Sequence, residues 1–112
     1  MNAKLIIGGL LAISSTCFMT SASATDADAA KALFKSNDCF KCHAVDKNKK
    51  GPSLKKIADK YKGKADAEAK LIKHITSGPK VKLDDGSEED HKILDSKDPK
   101  EQKNLVEWIL AQ

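Results

Sequence analysis

Beyond residue 25, apolar residues recur at spacings of three and four, and nowhere do they alternate with polar ones. Asp26 and Asp28 stand where carboxylates favour a helix start. Ala29, Ala30, Ala32, Leu33 and Phe34 then form one apolar face up to about Lys35. The polar cluster Ser36-Asn37-Asp38 closes that segment. Gly51-Pro52 marks a loop, after which Ser53 caps a helix carrying Leu54, Ile57, Ala58 and Tyr61, with Gly63 at its end. A third helix runs from Ala65 to Thr76 on Leu71, Ile72 and Ile75, and stops at Gly78-Pro79. The last helix has the fullest start signal: Asp98 as N-cap, Pro99 at the first position and Glu101 completing a capping box. Its buried stripe is Leu105, Trp108 and Ile109. The pattern predicts an all-α domain of about four short helices, without strands.

Residues 1–24 differ from the rest. Lys4 is their one charge, nine residues from Leu5 to Ile13 are apolar or glycine, and the segment ends in Ser21-Ala22-Ser23-Ala24. These are the parts of a cleaved secretory signal. Its apolar run falls well short of the roughly 20 residues that span a bilayer, so no stable membrane insertion is expected. Cys17 leaves with this segment, since Ser14-Ser15-Thr16 is a poor approach to a lipidated cysteine. Cleavage after residue 24 of 112 leaves 88 residues, one domain over 25–112. With one Trp and one Tyr it has little apolar material for a core, and chains of this size often depend on a staple or a cofactor.

The residues that could supply one are Cys39-Phe40-Lys41-Cys42-His43. A thioredoxin-like dithiol needs a strand leading into it, and none is predicted. Zinc needs four ligands, for which His74 or His91 would have to join in unpaired spacings. A Cys39–Cys42 disulfide closes too short a loop to stabilise much, and leaves His43 without a role. Covalent haem accounts for all three side chains. Two thiols three apart can each form a thioether to a vinyl group of one porphyrin, and the adjacent histidine then falls beneath the iron.

With Ala32-Leu33-Phe34-Lys35 ahead of this motif, Gly51-Pro52 eight residues beyond His43, Ile57-Ala58-Asp59-Lys60-Tyr61-Lys62-Gly63, and the ending Trp108-Ile109-Leu110, the chain resembles a small class I cytochrome c of the short bacterial periplasmic type. The resemblance covers nearly all of the mature chain. It implies four short helices wrapped around one haem c, carried by Cys39 and Cys42, with His43 as proximal iron ligand. It implies that the terminal helices cross with Phe34 or Leu33 against Trp108, and that Phe34, Leu54 and Trp108 pack the haem or the core. It also implies that the Pro52 carbonyl receives the other ring nitrogen of His43, fixing the imidazole and raising its basicity. The expected protein is a monomeric one-electron carrier of the periplasm, not an enzyme, with redox proteins as donors and acceptors.

The chain departs from that family at the far side of the iron, where members normally place a methionine. Met1 and Met19 are its only methionines, and both lie in the signal segment. The corresponding loop, Lys82 to Leu94, offers His91, 17 residues before Trp108. His91 is therefore the expected sixth ligand. His74 flanks the apolar face of its helix and suits a haem propionate contact or solvent exposure. Lys80, Lys82 and Lys92 are further alternatives. Glu89 and Asp90 beside His91 are expected to favour its protonated form, which cannot ligate. Two imidazoles favour ferric iron more than imidazole and thioether do, so the midpoint potential should lie below that of methionine-ligated relatives. An open sixth position would instead make a sensor or minor enzyme for oxygen, nitric oxide or peroxide.

All 20 cationic side chains are lysine, against 16 acidic residues. Nine of the lysines fall between Lys41 and Lys64, where there are only two Asp, while Asp84 to Asp90 holds five acids and no base. Lysines around a haem edge can steer an acidic partner, an attraction weakened by salt. Nucleic acid is not an expected partner, without arginine or interleaved aromatics.

Overall fold

The computed structural model describes residues 24–112; the expected signal segment lies outside them except for Ala24. Among the described residues, four α-helices lie at α1 (Ala27–Ser36), α2 (Leu54–Tyr61), α3 (Ala67–Ser77) and α4 (Pro99–Leu110). A single 3₁₀ turn at Cys39–Lys41 follows α1. Ser53 and Asp98 act as the expected N-caps, and Asp26, expected only to favour a helix start by its charge, caps α1 as well. Asp26 accepts from the Ala29 N–H, Ser53 from Lys56 and Asp98 from Lys100, each satisfying a donor that the first turn cannot pair internally.

The absence of strands is corrected. Lys80–Lys82 (β1) pairs antiparallel with Glu88–Asp90 (β2), placing Lys80 opposite Asp90 and Lys82 opposite Glu88. Cross-strand charge complementarity and a tight turn hold this hairpin, in which the Asp85 carboxylate accepts from the Ser87 N–H at 2.9 Å. Three residues per strand, with Val81 the one apolar side chain, are too few to show a two-residue period. The capping box on α4 also differs. The Glu101 carboxylate takes the hydroxyl of Ser96, whose oxygen in turn accepts the Asp98 N–H.

The core forms where α1 crosses α4. Ala30 and Val106 are fully buried there, the alanine's small side chain allowing close approach, and Phe34 meets Trp108 edge-on with ring centres 5.6 Å apart. Leu54, Leu71, Leu94, Leu105 and Ile109 complete the cluster. Each such side chain, fully buried, contributes about 1.5–3 kcal/mol. Asn37, at the C-cap of α1, is buried beside this interior, as is the polar Ser53. The Asn37 amide donates to the Leu33 carbonyl at 3.0 Å and its oxygen accepts the Asp95 N–H at 2.9 Å, tying α1 to the segment before α4.

Candidate haem centre

The 3₁₀ turn is closed by the Cys42 and His43 N–H groups on the Cys39 carbonyl, so Cys39, Cys42 and His43 share one turn. Asp38 enters it in the left-handed conformation, φ 60°. Both cysteines are free thiols and half-buried. Burial raises the Cys39 thiol to about 11, keeping it protonated.

The chain after His43 folds back beneath it. Gly51 N–H donates to the Cys42 carbonyl at 2.9 Å, Leu54 N–H to Ala44 at 2.9 Å, and Asn48 bridges to His43. This return brings the Pro52 carbonyl 2.7 Å from His43 Nδ1. A carbonyl only accepts, so Nδ1 carries the hydrogen and Nε2 holds the free lone pair of the neutral ring. Gly51 permits the approach, because a Cβ there would lie 2.7 Å from His43 Cε1.

Across a cavity of about 910 Å³ stands His91. Its main-chain N–H donates to Pro79 at 2.8 Å, and the Leu94 N–H to Ile75, also at 2.8 Å. Its ring Nδ1 donates to the Lys92 carbonyl at 2.9 Å, again leaving Nε2 free. Gly78 makes room for this segment. It sits at φ +60°, and a Cβ would meet Ile93 Cγ1 at 2.7 Å and the His91 carbonyl at 3.0 Å. The rings of His43 and His91 are 6.2 Å apart, centre to centre.

The expected effect of Glu89 and Asp90 on His91 is corrected. Desolvation comes first and lowers its pKa; the Lys92 carbonyl works in the opposite direction and His43 adds to the lowering. The acids sit on an exposed strand, with Asp90 paired to Lys80 at 3.1 Å. The neutral, ligating form of His91 is thus the favoured one. His74 is not the plainly solvent-exposed residue that one expectation allowed: it lines the cavity with its ring edge-on to His91, centres 4.4 Å apart, and its pKa is lowered by burial and then by the neighbouring imidazoles.

Phe34 and Leu54 line the cavity, whereas Trp108 packs behind Phe34 in the core. Of the nine lysines between 41 and 64, only Lys56 and Lys60 reach the cavity wall. Sequence reasoning missed Gly78 as the residue seating the His91 segment, although a glycine closing a helix was visible. It also missed Asn37 as the link to Asp95, for which a short polar residue after α1 gave no signal.

The side chains fit a porphyrin iron better than zinc. Among the described residues no three His, Cys, Asp or Glu side chains converge to hold an ion, as zinc would require. A porphyrin supplies four ligands and asks for two. A metal–imidazole bond of about 2 Å, plus roughly 1 Å from nitrogen to ring centre on each side, would need two rings sharing one metal from opposite sides to lie about 6 Å apart. The His43 and His91 rings lie 6.2 Å apart, room for one such ion between them.

Comparison with known proteins points the same way. The family model for cytochrome c matches residues 27–112. Cytochrome c-551 of Stutzerimonas stutzeri is 33% identical over 115 residues, covering 96% of this chain and 97% of the relative. The Pseudomonas aeruginosa cytochrome c-551 is 34% identical over 80 residues, 71% of this chain and 73% of that one. The crystal structure of the class 1 cytochrome MtoD from Sideroxydans lithotrophicus ES-1 superposes with a TM-score of 0.76 at 63% identity, covering 79% of this chain and 97% of the other. Nitrosomonas europaea cytochrome c552 superposes with a TM-score of 0.59 at 34% identity, over 77% and 98%. The helices around the cavity form the class I fold, and the chain belongs to the cytochrome c family, whose members carry one covalently attached haem c and transfer electrons.

Proposed function

We propose that the protein is a periplasmic one-electron carrier, its haem c attached through Cys39 and Cys42 and ligated by His43 and His91. The observation that carries this reading is the pair of imidazoles 6.2 Å apart, each with Nδ1 on a main-chain carbonyl and Nε2 left for the metal. When bound, the haem supplies one-electron chemistry between ferric and ferrous iron. Cys39 and Cys42 would hold the macrocycle at the 3₁₀ turn. Pro52 and Lys92 hold the two imidazoles in orientation through Nδ1, which would keep both rings in place in either oxidation state. Phe34 and Leu54 exclude water from the interior face.

Residues 1–24 direct export and are removed, and 25–112 fold as a monomer around the haem. No described helix is long and apolar enough to cross a membrane. Redox proteins serve as donor and acceptor, the lysines favouring a partner with an acidic face. No substrate site or reaction is assigned.

The purified holoprotein should be low-spin in both oxidation states, should lack the absorption band of an iron–thioether bond, and should show a midpoint potential below that of methionine-ligated relatives. High-spin ferric iron would overturn the two-imidazole reading and favour a protein that binds small ligands.

A further inference from the structure

Three imidazoles face the cavity, and two of them are accounted for. His43 and His91 each engage a main-chain carbonyl through Nδ1. His74, in the last half of α3, has no hydrogen-bond partner among the described residues, yet its ring lies against that of His91 with centres 4.4 Å apart. The two are also mounted differently. His74 is fixed on a helix, whereas His91 belongs to an extended segment held by the Pro79 and Ile75 carbonyls.

We propose that His74 is a reserve axial ligand, which takes the position of His91 whenever the His91 segment withdraws. The inference rests on His91 being the resident ligand. Taking its place requires the His74 ring centre to move by 4.4 Å. A change between the χ1 wells open to a helical residue moves an imidazole centre by about 4 Å, the same size as this gap, so the displacement is within side-chain reach and asks for no shift of α3. The reserve ligand is a second neutral nitrogen donor already inside the cavity, at far higher effective concentration than any ligand entering from solution. Withdrawal of His91 then leaves the metal six-coordinate, and a small molecule must compete with His74 for the vacated position. The lysines of the rim, Lys82 and Lys92, are the alternatives this arrangement displaces.

The test compares holoproteins by ferric electron paramagnetic resonance and visible spectra. The parent should be low-spin. His91→Ala should remain low-spin with altered g-values still in the range of two imidazoles, and adding His74→Ala to it should produce high-spin iron or a lysine adduct. Exogenous imidazole should bind the His91→Ala protein about tenfold or more weakly than the double variant, because His74 occupies the position in most molecules. Should His91→Ala not fold, His91→Asn, which keeps a polar side chain there, replaces it in both comparisons. A low-spin parent with fully high-spin His91→Ala would sink the reserve ligand and leave the two-imidazole reading standing. Identical spectra for the single and double variants would do the same. A high-spin parent, or a His74→Ala protein that alone turns high-spin, would overturn both.

Discussion

The two sides of the cavity are built by different means. On the His43 side, everything from Cys39 to Leu54 is assembled from near neighbours in the chain. The Gly51 to Cys42 and Leu54 to Ala44 bonds, the His43–Asn48 bridge and the Pro52 carbonyl all lie within this one stretch. On the His91 side, a hairpin with exposed three-residue strands is tied back by single main-chain bonds to Pro79 and Ile75, and seated by the buried Leu94. The first side is a local motif with one arrangement. The second depends on tertiary contacts, and segments with few buried contacts open at lower free energy than the whole domain. Under the proposed ligation, the permanent ligand would be His43 and the exchangeable one His91.

The most drastic way to break this comparison is to remove what both sides enclose. Phe34, Leu54, Ile57, Leu71, Ile75 and Leu105 all line the cavity of about 910 Å³, and without the haem these apolar side chains would face water, losing much of the burial that holds a domain of this size together. Expressed without haem attachment, or as Cys39→Ala with Cys42→Ala, the chain should lose cooperative folding on both sides alike. Circular dichroism and thermal melting would decide it. A cooperative apoprotein with the full helix content would show that the His43 side folds without its cofactor.

Two glycines sharpen the comparison, because each makes room for one side. Gly51→Ala puts a methyl 2.7 Å from His43 Cε1 and 3.3 Å from the Cys42 carbonyl, in a stretch whose bonds leave nowhere to move. A loss of about 1–3 kcal/mol in holoprotein stability is expected, with a perturbed His43 signature in paramagnetic NMR. Gly78→Ala meets the side chain of Ile93, which can turn away, but it also imposes the left-handed conformation on alanine, a strain of about 1–2 kcal/mol. It should loosen the His91 segment, seen as faster binding of cyanide or imidazole, with the His43 signals unchanged. Equal ligand-binding rates in the two variants would remove the distinction between the sides.

The same asymmetry decides what could be read from the chain. The His43 side was legible because its chemistry is contiguous: two thiols and an imidazole in one pentapeptide, then a Gly-Pro eight residues on. The caps at Asp26, Ser53 and Asp98 were legible for the same reason, each lying within three residues of the donor it satisfies. The hairpin was not, since its strands are too short to show a period and its register rests on pairs such as Lys80 with Asp90. His91 emerged from the missing methionine, but the contact of His74 with it joins positions on α3 and beyond β2 that no local pattern connects. The bond from Asn37 to Asp95 spans 58 residues.

That bond ties the C-cap of α1, just ahead of Cys39, to the His91 side, and cutting it has a more selective effect. Asn37→Ala leaves the Asp95 N–H without its acceptor beside the interior, a loss of about 1–3 kcal/mol. Asp95 follows directly on Leu94, so the destabilisation should register on the His91 side. Amide exchange at Asp95 and along the His91 segment should accelerate ahead of that in α2. Uniform acceleration across the domain would mean that the two sides open as one unit.

The smallest effect expected concerns how each side meets a partner. Lysines crowd the chain around the His43 side, whereas the hairpin presents Asp84, Asp85, Glu88, Glu89 and Asp90. Attraction between exposed charges is screened beyond about 8–10 Å at ordinary ionic strength, so docking through the lysines accelerates encounter at low salt and contributes little to the bound complex. Electron exchange with an acidic redox protein should slow as salt rises. Lys56→Gln and Lys60→Gln, the two lysines of that stretch in the cavity wall, should flatten the salt dependence without changing the limiting rate at high salt. Stopped-flow measurement against partners of known charge separates the alternatives. A rate that rises with salt would assign docking to the acidic hairpin, turning the less firmly held side of the molecule into the one that receives electrons.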